Sequence, residues 1–298
     1  MSNNVLRSAK YLAILLILTG SFSSCEKEDY NPEKFRLVKI LYYTNSKSTD
    51  PTDGIEYIYD EAGNKVKELF YKYGQVTELY KYMDYEYSGN KKIKTIIFRK
   101  LEGELQLGWY IVYTYDLNNR LIKEEVIEAD DWISSTTVYD YEEGNLVREY
   151  YYEHYYGDFA ETKYKYDSQN RLILEEKDSS DDIEYKYIKH KYDNDGREIK
   201  LEYYASNEDL VRTVEKIYNG RSKLPVKDVH FDKYGAQISQ YQHYYDKWGN
   251  LRETSLNGKC PLFKRKYNGG LLMEEIIYTK PERGCTEDEM IKYEYQKI

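Results

Sequence analysis

The groups best equipped for acid–base chemistry in this 298-residue sequence are His154, His190, His230 and His243, and recurrent acid pairs such as Glu124-Glu125 and Glu175-Glu176. A nucleophilic hydrolase holds a serine or cysteine against a base. These histidines stand in separate segments with no fixed Ser or Cys partner, and the chain has no GxSxG, no HExxH, no phosphate-cradling glycine loop and no paired CxxC. A glycosidase needs two carboxylates at a set separation. Neighbouring residues of a strand face opposite sides, so the acid pairs make no dyad. "DNDG" at 193–196 has the carboxylates of a calcium loop, but a turn accounts for it equally well. The expectation is a protein with no catalytic residue, no cofactor and no metal.

The other chemistry on offer is aromatic. The sequence holds 38 tyrosines. Tyrosine favours strands, packs a large flat ring and keeps a hydroxyl that can stay wet. Its default role here is structural: stacked ladders along a half-buried sheet, with cross-strand aromatic pairs worth roughly 0.2–1 kcal/mol each. Flat rings beside Asp, Glu, Lys and Asn also suit sugar binding. Candidate ligand-binding groups are Tyr150, Tyr152, His154 and Tyr156 in "YYYEHYY", and Tyr241, His243, Tyr245 and Trp248 in "YQHYYDKW". Trp109 and Trp132 are further candidates. Alternation within such runs puts aromatics on both faces, so some must be exposed.

What positions these groups is a repeat. "YDEAG" begins at Tyr59, "YDLNN" at Tyr115, "YDSQN" at Tyr166, "YDNDG" at Tyr192 and "YDKWG" at Tyr245. Blurred copies begin at Tyr87, Tyr141, Tyr218 and Tyr267, so that anchors recur every 22 to 28 residues. A fixed period of this size takes precedence over local readings. The Asp can bond its own backbone ahead and open a type I turn. The fourth position, Gly63, Asn119, Asn170, Gly196 or Gly249, must then turn left-handed, which Gly and next Asn do most readily. Such a turn joins antiparallel strands. Weaker turn signals such as Gly157-Asp158 and Tyr234-Gly235 fall about half a period away. The pattern predicts an all-β fold: an elongated antiparallel meander of about ten β-hairpin repeats, 18 to 20 strands, forming a curved sheet with two open edges and no substantial helix outside the signal peptide.

The signature "YxYDxxG[NR]L", present as "YIYDEAGNK", "YTYDLNNRL", "YKYDSQNRL" and "YYDKWGNL", resembles the YD repeats of Rhs-type proteins and teneurins. The resemblance covers nearly the whole chain after its leader. It implies a spiral sheet and a surface, adhesive or carbohydrate-associated role, and carries over no catalytic residue. The shortness of the array makes an open sheet the expectation rather than an enclosing cocoon.

The N-terminus reads as an export signal. Arg7 and Lys10 precede the apolar run "YLAILLIL", which is shorter than the ~20 residues of a membrane-spanning helix. "SFSSC" at 21–25 resembles a lipobox, making residues 1–24 a lipoprotein signal peptide, Cys25 the lipidated (palmitate-bearing) residue, 25–34 a tether and 35–298 the repeat domain. The acidic "EKEDYN" that follows resembles the export signal of Bacteroidetes-type surface lipoproteins. The expected location is the outer membrane, lipid-anchored and facing the exterior. Loss of Arg7 and Lys10 from 44 basic residues, against 53 acidic ones, leaves a net charge of −11. Such a chain should not seek nucleic acid. Cys260 and Cys285 remain as an even pair in an oxidising compartment, where a disulfide is expected. The functional expectation is a non-catalytic binding or adhesion module, for glycans, through a tyrosine-rich sheet. The alternatives are a protein-binding immunity or envelope-assembly factor and a glycan-active enzyme.

Overall fold

The computed structural model describes residues 35–181, 183–279 and 285–297. The signal peptide, Cys25 and the whole tether lie outside them. The described chain contains twenty strands: β1 (Phe35–Tyr43), β2 (Asp53–Tyr59), β3 (Lys65–Lys72), β4 (Glu78–Ser88), β5 (Lys91–Leu101), β6 (Glu104–Tyr115), β7 (Leu121–Glu128), β8 (Ile133–Glu142), β9 (Asn145–Glu153), β10 (Phe159–Tyr166), β11 (Leu172–Ser179), β12 (Tyr187–Tyr192), β13 (Glu198–Tyr204), β14 (Leu210–Tyr218), β15 (Pro225–Asp232), β16 (Gln237–Tyr245), β17 (Leu251–Leu256), β18 (Cys260–Asn268), β19 (Leu271–Thr279) and β20 (Thr286–Lys297). Among the described residues there is no helix. Each strand pairs antiparallel with the next, so the hairpin repeat read from the sequence is the repeat of the fold.

The YD turn works through its aspartate. In the turns opened by Asp60, Asp116, Asp167, Asp193 and Asp246, one carboxylate oxygen accepts the backbone N–H of the residue four places on, at 2.8–3.0 Å. The other oxygen accepts from the side chain of that same residue, Asn64, Arg120, Arg171, Arg197 or Asn250, at 2.7–2.9 Å. The position between is left-handed in every case: Gly63 (φ 87°), Asn119 (67°), Asn170 (58°), Gly196 (77°) and Gly249 (86°). The ladder register shifts at the tyrosine before the Asp, the signature of a bulge that adds local twist. Blurred copies use other reversals, such as left-handed Glu143-Gly144 and Gly269-Gly270.

A tyrosine near the end of the strand, the one before the Asp in the five clear copies, ties one repeat to the one before it. Tyr59, Tyr87, Tyr115, Tyr166, Tyr192, Tyr218, Tyr245, Tyr267 and Tyr295 each donate a phenol O–H to a backbone carbonyl near the start of the preceding strand, at 2.6–3.0 Å. The arginine after the left-handed residue adds a second tie. Arg120, Arg171 and Arg197 lie over the rings of Tyr141, Tyr192 and Tyr218, 4.7–4.8 Å from the centroids. Turn, tyrosine and arginine thus stitch the rim where the YD turns lie.

The sheet closes, which overturns the expectation of an elongated, open-edged meander. β1 pairs with β2 on one side and with β20 on the other, from Phe35↔Lys297 to Tyr43↔Met290. All twenty strands therefore form one closed antiparallel barrel. An even strand number lets the last strand meet the first antiparallel, and closure pairs two rows of N–H and C=O groups that would otherwise be free edges. Twenty strands ~4.8 Å apart and tilted by ~40° give a circumference of roughly 125 Å, so a round barrel would be about 40 Å wide. A single layer of side chains does not fill that width. The burial pattern agrees: among the described residues only Ile97 is large and almost fully buried, and the strands are half-buried on both faces.

The two faces differ in chemistry. Tyr57, Tyr85, Tyr113, Tyr139, Tyr164, His190 and Tyr293 share one face with Glu68, Glu124, Glu149, Glu175 and Glu275. The other carries ion pairs such as Lys67–Asp84 (3.0 Å), Arg148–Glu161 (2.6 Å) and Lys191–Glu202 (2.7 Å). On β12 the His190 side chain is 9% exposed and its neighbour Lys191 53%. On β12 the tyrosine–glutamate face is the more covered, and we assign that face to the concave side, towards the lumen. The other face carries charges at mid-strand, such as Lys67, Asp84, Arg148 and Glu161. No described helix is long and apolar enough to cross a membrane.

Candidate functional site

The first aromatic run is split by the strand it sits in. Tyr150 and Tyr152 lie on the outer face of β9. Tyr150 stacks on Phe159 with ring centroids 6.3 Å apart and lies under Arg148 at 4.8 Å. Tyr152 meets His154 edge-on at 5.0 Å, and the His154 ring is hydrogen-bonded to Thr136 at 2.9 Å. Tyr155 and Tyr156 stand on the β9–β10 turn, at the rim opposite the YD turns. Glu153 fixes them: its two carboxylate oxygens accept the N–H groups of Tyr155 (3.0 Å) and Tyr156 (2.6 Å). Trp132, from the β7–β8 turn, meets Tyr155 edge-on at 6.0 Å, and Tyr155 meets Tyr156 at 4.6 Å. Trp132, Tyr155 and Tyr156 are 43, 69 and 78% exposed. Two neighbouring hairpins thus hold three rings in water on one rim, with His154 and Asp158 beside them.

The second run does not form a platform. Tyr241, His243 and Tyr245 face the lumen from β16. Tyr245 donates to the Pro225 carbonyl, and His243 lies between Thr254 (3.0 Å) and Asp228 (3.2 Å). Tyr241 packs against His230 at 4.9 Å. Trp248 points out of a YD turn under Lys247, 60% exposed and apart from the other three. Cys260 and Cys285 are joined in a disulfide with Cα atoms 5.5 Å apart, which fastens the segment before β20 to the start of β18.

The lumen wall carries paired charges. His190 sits between Glu175 (Nε2, 3.1 Å) and Glu198 (Nδ1, 2.6 Å), and Glu198 also accepts Lys216. Burial opposes its charge, but the bonds and charges of the two glutamates outweigh it and raise its pKa to about 9. Burial raises Glu124, partly offset by the Tyr139 hydroxyl. Burial, reinforced by Glu149, pushes Tyr164 up to about 12. Among the described residues no cluster of His, Cys, Asp and Glu has the makings of a metal site. One shallow hollow of about 560 Å³ lies on β6–β8, lined by Thr114, Arg120, Lys123, Val138 and Asp140.

No family model and no curated protein matches the sequence. Solved structures resemble it in outline. The crystal structure of TcdB2-TccC3-Cdc42 aligns over 78% of this chain with 14% identity and a TM-score of 0.48, and the chain spans only 14% of that structure's length. A porin-like protein from Bacteroides uniformis aligns over 87% of this chain and 98% of its own, with 9% identity and a TM-score of 0.34. A second porin-like protein, from Bacteroides vulgatus, gives 12% identity, 88% and 99% coverage and a TM-score of 0.28. All three TM-scores lie below 0.5, so the architecture stands on the strand pairings themselves.

Proposed function

We propose that the protein is a non-catalytic binding module, lipid-anchored through Cys25 at the outer membrane and facing the exterior, that holds glycans on its aromatic rim. The observation that carries the reading is the exposed group Trp132, Tyr155 and Tyr156, in which Glu153 fixes the backbone of the two tyrosines and Trp132 meets Tyr155 edge-on. Large rings kept in water at a rigid tip offer flat faces for the C–H side of a sugar ring, with Asp130, Asp158 and His154 near for its hydroxyls. Most other tyrosines are spent on the barrel itself, so the binding surface is this rim rather than the sheet. Chain direction supports display: β1 begins, and β20 ends, at the YD rim. A tether attached there leaves the opposite rim free. A charged outer wall suits a protein anchored to a membrane rather than spanning it.

The test is a glycan array followed by titration calorimetry on the purified protein and on Trp132→Ala/Tyr155→Ala. Binding of a polysaccharide that weakens about tenfold or more in the variant supports the reading. Silence across polysaccharides, or equal binding by the variant, overturns it.

A further inference from the structure

Among the described residues, one guanidinium on the lumen wall has no acid paired with it. Arg212 faces the lumen from β14, directly opposite Tyr203 on β13. Its guanidinium lies 4.1 Å from the Tyr203 ring centroid and 5.3 Å from that of Tyr185, and the two rings meet edge-on at 4.9 Å. Lys177 lies over the same Tyr185 at 5.3 Å. On the next strand His230, with Tyr241 against it at 4.9 Å, extends the ring-lined wall. Among the described residues Arg212 has no ion pair, and its Nε is out of solvent with no acceptor.

The carboxylates that could have neutralised it are committed elsewhere. Asp232, its opposite number on β15, turns Oδ1 to the N–H groups of Tyr234 and Ala236, both at 2.9 Å. Glu175 accepts from His190 at 3.1 Å, and Asp228 faces His243 through Oδ2 at 3.2 Å, while its Oδ1 is out of solvent without a partner and forms no ion pair with Arg212. The other lumenal cations in this region do have acids: Lys216 pairs with Glu198, and Arg265 with Glu275 at 2.8 Å. His230 registers the imbalance. Burial and the Arg212 charge hold its pKa below the usual value against Asp228, so it stays a neutral ring with a donor and an acceptor.

We propose that Arg212, with Tyr185, Tyr203, His230 and Tyr241, forms a lumenal subsite for an oxyanion carried on a saccharide: the carboxylate of a uronic acid or the sulfate of a sulfated sugar. Stacking on tyrosine occupies a face of the guanidinium plane, Nε is out of solvent and Tyr203 takes one hydrogen bond, which leaves the remaining terminal N–H donors of the fork for an oxyanion. The surrounding rings supply faces for the sugar that bears it. The width of a twenty-strand barrel admits such a polymer. This subsite rests on the glycan-binding reading above and adds the charge of the glycan to it.

The experiment is titration calorimetry of the purified protein with oligogalacturonate, a sulfated oligosaccharide and neutral malto-oligosaccharide, repeated for Arg212→Ala and Arg212→Lys. Acidic ligands should bind better than the neutral one and lose affinity with salt. Arg212→Ala should weaken them about tenfold or more, and Arg212→Lys should retain part of the affinity. The arm that binds more tightly identifies carboxylate or sulfate as the source. Should Arg212→Ala fail to fold, Arg212→Lys decides, because it keeps the charge and loses the fork. Equal affinity for acidic and neutral ligands, no binding of either acidic ligand, or unchanged binding in both variants overturns the proposal. Trp132→Ala/Tyr155→Ala separates the two readings. If only the rim variant loses binding, the rim site stands and the subsite falls; if only the Arg212 variants do, the reverse holds.

Discussion

His190 holds both ring nitrogens against carboxylates, Glu198 on one side and Glu175 on the other, with its side chain 9% exposed. Both nitrogens must carry a proton to donate, so the imidazolium is the form the site selects. The folded pKa, about 9, lies above the ordinary value of 6.5. The stability it contributes is therefore complete below the ordinary value and lost as pH rises through about 9. Urea unfolding near pH 6 and near pH 9.5 should show the native protein losing about 3 kcal/mol more than His190→Gln, as an upper figure. Equal losses would remove the imidazolium from the account. The pairing could not be read from sequence, where His190 stood alone without a Ser or Cys. Its partners are on adjacent strands, and only the register brings Glu175 and Glu198 to it. The same reason hid Arg212, which has no motif around it. The tyrosines were legible as structural by number and alternation, but not the destination of their hydroxyls, which is the preceding strand.

At the scale of the hairpin, the turn is local chemistry and was readable. Asp, two polar residues and Gly or Asn specify a bulged type I turn, and each of the five clear copies has the left-handed corner expected of it. Asn170, at φ 58°, tests this directly. A β-branched residue in that conformation clashes with its own backbone, so Asn170→Val should lose about 1–2 kcal/mol in denaturant unfolding, while Asn170→Gly should be neutral or slightly stabilising. The opposite rim was less legible because its turns are heterogeneous. Asp232 repeats the YD turn there without the "YD" spelling, since its hydrogen bonds need only the Asp and the Gly235 corner. The aromatic run at 150–156 is legible as a candidate, but the contact of its exposed half with Trp132 from another hairpin is not.

At the scale of the molecule, sequence reasoning missed closure because no single residue encodes it. Twist accumulates over twenty strands, and whether the last meets the first depends on that sum. The seam is also where the disulfide acts, since Cys285 precedes β20 and joins it to β18. Cys260→Ser/Cys285→Ser should lose roughly 3 kcal/mol in the loop-entropy model, read as a fall in melting temperature that reductant reproduces in the native protein. An unchanged melting temperature would show that the ladders alone hold β20.

Closure is the claim on which the lumen, the two faces and the free rim all depend. Amide hydrogen exchange on β1 and β20 measures it most directly. In a closed barrel each strand is bonded on both sides, so the amides from Lys39 to Tyr42 and from Met290 to Lys292, which have partners on both neighbours, should exchange as slowly as those of β10. Fast exchange at alternate residues of β1 and β20, the mark of two free edges, would contradict the account.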